Sequence, residues 1–276
     1  MDYQETFGAM ISAPDIRDYH LATIESSFPE EFELLMPAVK NQGTVGSCVA
    51  HAIATVMEYY NEKQHKQTIP MSVGYIYGNR VSSDYRGEGM YLREALKDAC
   101  KEGNVIYTDL PANIEVPEIF WLVGEKKEIL APRVTIRTTS YVRVTNEQEI
   151  KTALLNECPV VFVIPWYLDT IVVRGVVKTS KKVLQGHHCM VIYGWDKKGW
   201  KIQNSWGTLW GDGGRATLPY DTEITQAFSV IDELVGDIEI KKPYKDAGAL
   251  VTAIIRIINN ILGFFTSLKY KPKINN

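Results

Sequence analysis

The period of the apolar residues changes along this chain near residue 133, and that change limits what it can fold into. Before it, Val49, Ala52, Ile53, Val56, Met57 and Tyr60 recur at three- and four-residue steps, with His51, Thr55, Glu58 and Glu62 on the other side. This spacing predicts an amphipathic helix over 48–62, with Ser47 as its N-cap. Further helix signals cover 72–80 and 90–102, the last closing on Glu102-Gly103-Asn104, where glycine suits a helix end. Beyond residue 133, V-T-I-R-T-T-S-Y-V-R-V alternates as a strand, E-Q-E-I-K-T-A-L-L-N-E reads as a short amphipathic helix, and P-V-V-F-V-I-P-W as a buried strand. Strand candidates follow at 171–178, 188–195 and 199–204, joined by short turns such as Asp196-Lys197-Lys198-Gly199. Helices ahead of a mainly antiparallel sheet make this an α+β chain, and no internal repeat interrupts it.

With 276 residues, 45% hydrophobic and 23% charged, the chain is long enough for one large domain or two lobes. A formal net charge of −3, with scattered lysines and arginines, leaves no electrostatic footprint for nucleic acid. The start, M-D-Y-Q-E-T-F-G-A-M, lacks the basic and apolar regions of a secretory signal, so a cytoplasmic protein is expected. Cys48, Cys100, Cys158 and Cys189 are too few and too irregularly spaced for a disulfide framework or a paired zinc motif, and reduced thiols are expected.

Residues 1–35 are irregular, with the turn signals of S-A-P-D-I-R-D-Y-H, and residues 1–30 are expected to wrap around the main domain at 31–243. The remainder, 244–276, holds A-L-V-T-A-I-I-R-I-I-N-N-I-L-G-F-F-T-S-L at 249–268 and a tail with Lys269, Lys271 and Lys273. Thr252, Arg256, Asn259, Gly263 and Ser267 draw one polar stripe along an otherwise apolar helix. Such a helix suits packing on the main domain, self-association or contact with an anionic membrane surface, and not a simple membrane span.

The stretch N-Q-G-T-V-G-S-C at 41–48 delivers a cysteine to the first turn of the predicted helix. Unpaired N–H groups and the positive end of the helix dipole converge there and favour a thiolate. A small buried hydrophobe would also fit, and a reactive thiol needs a base from elsewhere in the chain. The β-rich half contains Q-G-H-H-C-M-V-I-Y-G-W and then W-K-I-Q-N-S-W-G-T-L-W-G-D-G-G.

Taken in order, N-Q-G-x-x-G-S-C, H-x-x-x-x-x-G-W and N-S-W-G-x-x-W-G resemble the papain-like cysteine peptidases over roughly residues 35–235. Cys48 stands six positions after Gln42, and Asn204 sixteen after His188, as in the family pattern. The resemblance implies a two-lobe α+β protease, a peptide or protein substrate, and neither a cofactor nor a metal ion. It makes Cys48 the nucleophile, His188 its base, the two resting as thiolate and imidazolium, and Asn204 the acceptor that orients the ring. Trp206 would cover the Asn–His hydrogen bond, and Gln42 with the Cys48 N–H would form the oxyanion hole. The stretch G-E-G-M-Y-L-R-E-A-L resembles the glycine-rich substrate wall, which makes Gly87 and Gly89 substrate-binding residues.

His187 competes with His188, because neighbours on a strand face opposite ways; Gly194-Trp195 stands at the family distance from His188 and favours it. For His188 and Asn204 to share a face, the connection around 196–198 must set an even register or a bulge must intervene. His51 reads as a solvated helix-face residue, Cys100, Cys158 and Cys189 as packing residues, and Trp195, Trp200 and Trp210 as structural. Val45 and Val49 depart from the family pattern, which carries a cysteine and an aromatic there, and the first change agrees with reduced thiols. Only 47 residues precede Cys48, too few for the long propeptide of secreted members, so the chain looks more like bacterial or phage-encoded ones, with a virion-associated setting as a second location. Besides an endopeptidase, the letters allow a non-catalytic assembly protein on the same scaffold, or a transpeptidase or amidase using the same site.

Overall fold

The computed structural model describes residues 5–13, 15, 18, 21, 27–80, 88–110, 130 and 136–232. Gly87, residues 133–135 and the segment 249–268 lie outside the described residues. In chain order the elements are β1 (Ala9–Met10), β2 (Phe32–Glu33), α1 (Cys48–His65), α2 (Val73–Gly78), β3 (Met90–Tyr91) and α3 (Leu92–Lys101). Then come β4 (Ser140–Arg143), α4 (Glu147–Leu155), β5 (Val160–Tyr167), β6 (Ile171–Val173), β7 (Val176–Lys178), β8 (Leu184–Asp196), β9 (Gly199–Gln203), β10 (Arg215–Leu218) and β11 (Gln226–Ile231).

The main sheet runs β4-β11-β5-β8-β9-β10-β7-β6, with β2 also paired to β8. Only the β10–β7 pairing in it is parallel. This is the α+β, two-lobe arrangement expected: helices α1 to α3 on one side, the antiparallel sheet on the other. The polar side of α1 is not solvated, however. Packed against α2, α3, β5 and β8, this helix buries His51, Thr55 and Glu58 along with Ile53, Val56 and Met57. Its polar groups are satisfied locally: the Glu58 carboxylate pairs with Lys40 and accepts the Met71 N–H at 2.7 Å. Residue His51 places Nδ1 3.0 Å from the Ser47 carbonyl and 3.2 Å from its hydroxyl. The Ser47 side chain is thereby drawn away from capping α1.

Turn chemistry explains the other departures from the expected boundaries. The single strand expected over 171–178 is a hairpin, because Arg174 and Gly175 take φ values of 51° and 77° and pair Val173 with Val176. Helix α3 begins at Leu92, not 90, because Met90 and Tyr91 pair with β1. It ends at Lys101, one residue before the expected 102, and Gly103 follows with φ 72°. Strands β10 and β11 have no counterpart among the expected elements; β11 is inserted between β4 and β5, a pairing that local alternation does not announce.

One irregularity positions the site. Between β8 and β9 the pairs Gly194–Lys201 and Ile192–Ile202 are out of step by one residue, so Tyr193 is a bulge. Past it, Gln203 pairs with Val191, and the next residue, Asn204, falls on the side of Met190 and therefore of His188. Without the extra residue Asn204 would lie on the opposite face, with His187.

Candidate active site

Residues 41–47 hold Cys48 at the start of α1 by stitching themselves to the N-S-W-G segment. Asn41 bridges to Trp206, the Gln42 N–H donates to the Ser205 carbonyl at 2.8 Å, and the Ser205 hydroxyl lies 2.6 Å from Gln42 Oε1. That contact orients the Gln42 amide so that Nε2 donates to the carbonyls of Val45 (3.0 Å) and Thr6 (3.1 Å).

From β8, His188 places Nε2 2.6 Å from Asn204 Oδ1. The same Oδ1 accepts the Ser205 N–H at 2.7 Å, so it is the amide oxygen and His188 Nε2 carries the proton. Nδ1 therefore keeps the lone pair, and it has no hydrogen-bond partner among the described residues. The Trp206 indole stacks on the imidazole at 4.2 Å between centroids and 23° between planes. Trp166, from β5, meets the same ring edge-on at 5.6 Å. The competing His187 is half-buried and points to the other face of β8.

Both Cys48 and His188 are completely buried. Burial pushes the Cys48 thiol up to about 11, against the pull of backbone hydrogen bonds from Cys189, Gly8, Val49 and Cys48 itself. Burial also lowers His188 to about 4; the Asn204 hydrogen bond opposes the shift and the nearby His51 adds to it. With residues 5–10 in place, burial thus works against both the thiolate and the imidazolium.

The cover is the chain's own amino-terminal segment. Phe7 packs on Trp206 (6.0 Å), His188 (6.2 Å) and Trp166 (6.5 Å). The Thr6 carbonyl accepts from Trp206 Nε1 at 3.3 Å as well as from Gln42, and Glu5 accepts from Trp166 Nε1 at 3.2 Å. Gly8 lies so close to the loop before Cys48 that a Cβ on it would stand 1.8 Å from the Gly46 oxygen. Its own carbonyl accepts the Met90 N–H at 2.9 Å, after which β1 continues parallel to β3. Farther on, Gln226 donates to the Ser12 carbonyl, and Arg93 binds the Ala13 carbonyl and both Asp18 oxygens in a buried ion pair.

Of the residues singled out from the sequence, Gln42, His188, Asn204 and Trp206 meet in one connected cluster, and Cys48 is buried against the backbone of Gly8 in the covering segment and of Cys189, the residue after His188. Gly89 touches Gly8, since a Cβ there would stand 2.7 Å from the Gly8 oxygen. Trp166 and Ser205 were not anticipated, and for residues 1–30 the letters point to a wrapping segment without deciding whether it lies over the cleft. Trp166 is legible only as part of a buried strand, and residues 5–10 carry no periodic signal.

Comparison with known proteins identifies the family. Residues 29–230 match the family model of papain family cysteine proteases. An uncharacterised peptidase C1-like protein of Acanthamoeba polyphaga mimivirus is 29% identical over 222 residues, covering 72% of this chain and 70% of the relative. A cysteine protease of Blomia tropicalis is 28% identical over 210 residues, 68% of this chain and 60% of the relative. In structure the chain resembles xylellain, a cysteine protease from Xylella fastidiosa, with a TM-score of 0.70 at 21% identity over 84% of this chain and 98% of that one. The match of sequence over residues 29–230, most of the chain, establishes that it belongs to the papain family of cysteine proteases.

Proposed function

We propose that this chain is a cysteine endopeptidase in which Cys48 attacks the peptide carbonyl and passes its proton to His188 Nδ1. The oxyanion is held by Gln42 Nε2–H and the Cys48 N–H. Collapse of the tetrahedral intermediate breaks the C–N bond as His188 returns the proton to the leaving amine, and a thioester remains. Water, deprotonated by His188, then releases the carboxylic acid and regenerates the thiol. The observation that carries this reading is the His188–Asn204 contact at 2.6 Å, with its oxygen identified by the Ser205 N–H. It leaves as the basic nitrogen the one without another partner. Turnover requires residues 5–10 to leave the groove, because they bury the thiol.

Cys48→Ala is expected to abolish hydrolysis of a mixed peptide library while leaving the circular dichroism spectrum unchanged. Retained turnover would overturn the assignment and favour a non-catalytic role. A transpeptidase or amidase would share the thioester and differ in what resolves it, so an added amine acceptor separates these readings. No helix among the described residues is long and apolar enough to cross a membrane. Contact of residues 249–268 with a second copy or an anionic membrane surface stays part of the proposal on their apolar sequence alone.

A further inference from the structure

Large apolar side chains left open to solvent are not spread evenly over this chain. Four of the nine exposed ones among the described residues lie between 168 and 184: Leu168 (67%), Ile171 (56%), Val183 (50%) and Leu184 (52%). The fold gathers them where β5 leaves the sheet and β8 enters it. The turn 167–170 is closed by the Thr170 N–H on the Tyr167 carbonyl at 2.9 Å, the Leu168 N–H donates to the Val183 carbonyl at 2.8 Å, and Tyr167 pairs with Leu184. Ile171 follows the turn directly and pairs with Lys178 in the β6–β7 hairpin. A carboxylate fastens the tip: Asp169 accepts the N–H groups of Ser180 (2.6 Å) and Lys182 (3.2 Å) and the hydroxyls of Ser180 and Thr179. Between those two N–H groups, Lys181 takes the left-handed φ of 58°, which lets both converge on one anion. The apolar side chains are therefore carried by a built tip and not left open by a loose loop.

The charge of the tip shows what kind of surface would cover it. Lys178 stands opposite Ile171, Lys181 and Lys182 lead directly into Val183, and all three are exposed. The one carboxylate among residues 167–184, Asp169, is spent on the tip's own hydrogen bonds, the Ser180 hydroxyl first among them, which hold it down to about 2. Outside the tip, Asp221 and Glu223 share a cavity of about 350 Å³ with Lys178 and Lys181. The centres of protein interfaces are rich in aromatic residues and Arg and poor in Lys, and Leu and Val are under-represented among their hot spots. Aliphatic side chains among lysines are the opposite composition, and they suit a fluid surface with an anionic face and an apolar interior.

We propose that this tip is a membrane-contact site, in which Leu168, Ile171, Val183 and Leu184 enter the headgroup layer of an anionic bilayer while Lys178, Lys181 and Lys182 meet its phosphates. The site is separate from any contact made by residues 249–268 and does not depend on the peptidase reading. Leu184 is four residues before His188 on β8, about 14 Å at the rise of an antiparallel strand, so the anchor lies close to the cleft. The test uses the full chain with vesicles of phosphatidylcholine and phosphatidylserine, and of phosphatidylcholine alone. Binding is read by sedimentation, and its place by hydrogen exchange with mass spectrometry. Peptides spanning 167–171 and 178–185 are expected to gain protection with the anionic vesicles and not with the neutral ones. Leu168→Ser combined with Val183→Ser should weaken vesicle binding at least about tenfold, the scale of partly burying two aliphatic side chains. Leu209→Ser, at a residue equally exposed (68%) in another segment, should leave it unchanged. Lys181→Gln and Lys182→Gln should each weaken it about fivefold. Vesicle binding that leaves both segments unprotected, or that the double serine variant retains in full, overturns the inference, as does no binding to anionic vesicles. Protection of the same segments that rises with protein concentration in the absence of lipid would assign the tip to a second copy of the chain and overturn it too.

Discussion

Gly8→Ala tests whether the amino-terminal segment keeps the nucleophile silent. A methyl group on residue 8 would stand 1.8 Å from the Gly46 oxygen. That backbone cannot retreat easily, because the Gly46 N–H is held by Glu88 at 2.8 Å. The segment must therefore lift, exposing Cys48. With the segment in place, burial pushes the thiol up to about 11 from an ordinary value of 9.0. Loss of all of that burial, returning the thiol to its ordinary value, would raise the thiolate fraction near neutral pH by at most about a hundredfold. A less basic thiolate is also a weaker nucleophile, by about tenfold over the same interval, since the Brønsted slope is about 0.4–0.5. Ionisation alone thus predicts at most about a tenfold faster reaction with a disulfide probe, and restored access adds to it. The assay is the rate of mixed-disulfide formation at Cys48, followed by peptide mapping between about pH 6 and 10. The half-buried Cys100 and Cys158 serve as internal references whose rates should not change. Equal rates at Cys48 in both proteins, or a midpoint at or below 9 in the unaltered chain, would refute the reasoning.

Asn204→Ala removes the oxygen that accepts from both His188 and Ser205, so kcat should fall by one to three orders of magnitude without the total loss expected of Cys48→Ala; an unchanged pH profile of kcat/KM would count against an orienting role. Asp18→Ala breaks the buried pair that clasps the segment to Arg93, and it should speed probe labelling of Cys48 while the unfolding transition of the main domain moves little; unchanged labelling would show that the clasp does not hold the cover. Burial raises the Glu5 carboxyl above its usual 4.5 when the segment is docked, so the docked form keeps a proton that the lifted form has lost. Docking is therefore strongest below the ordinary value and weakens as pH rises through the raised one. Glu5→Gln should remove that dependence from the ratio of labelling rates for Cys48 and Cys100, and a ratio that still varies across this window would sink the idea.

The cysteine at a helix start, the spacing of Gln42, His188 and Asn204, and the order of helices before strands are local or near-local patterns, and they are legible in the letters. A reactive thiol needs a particular residue at a particular turn, and a strand needs alternation, so both leave marks within a dozen residues. Three decisions were tertiary. The bulge at Tyr193 turns Asn204 toward His188 and away from His187, and it arises where the Tyr193 carbonyl is taken by the Leu34 N–H, far away in sequence. The burial of His51 and Glu58 depends on α1 being enclosed on all sides, and a helical period reports only which residues share a face. The covering of the site by Glu5–Met10 depends on contacts reaching 161 and 200 positions along the chain, to Trp166 and Trp206. Such contacts are made by shape and by unspent hydrogen-bond donors in the finished cleft. A segment that fills a groove made by others has no period of its own to show, because its conformation is imposed by the surface it lies on.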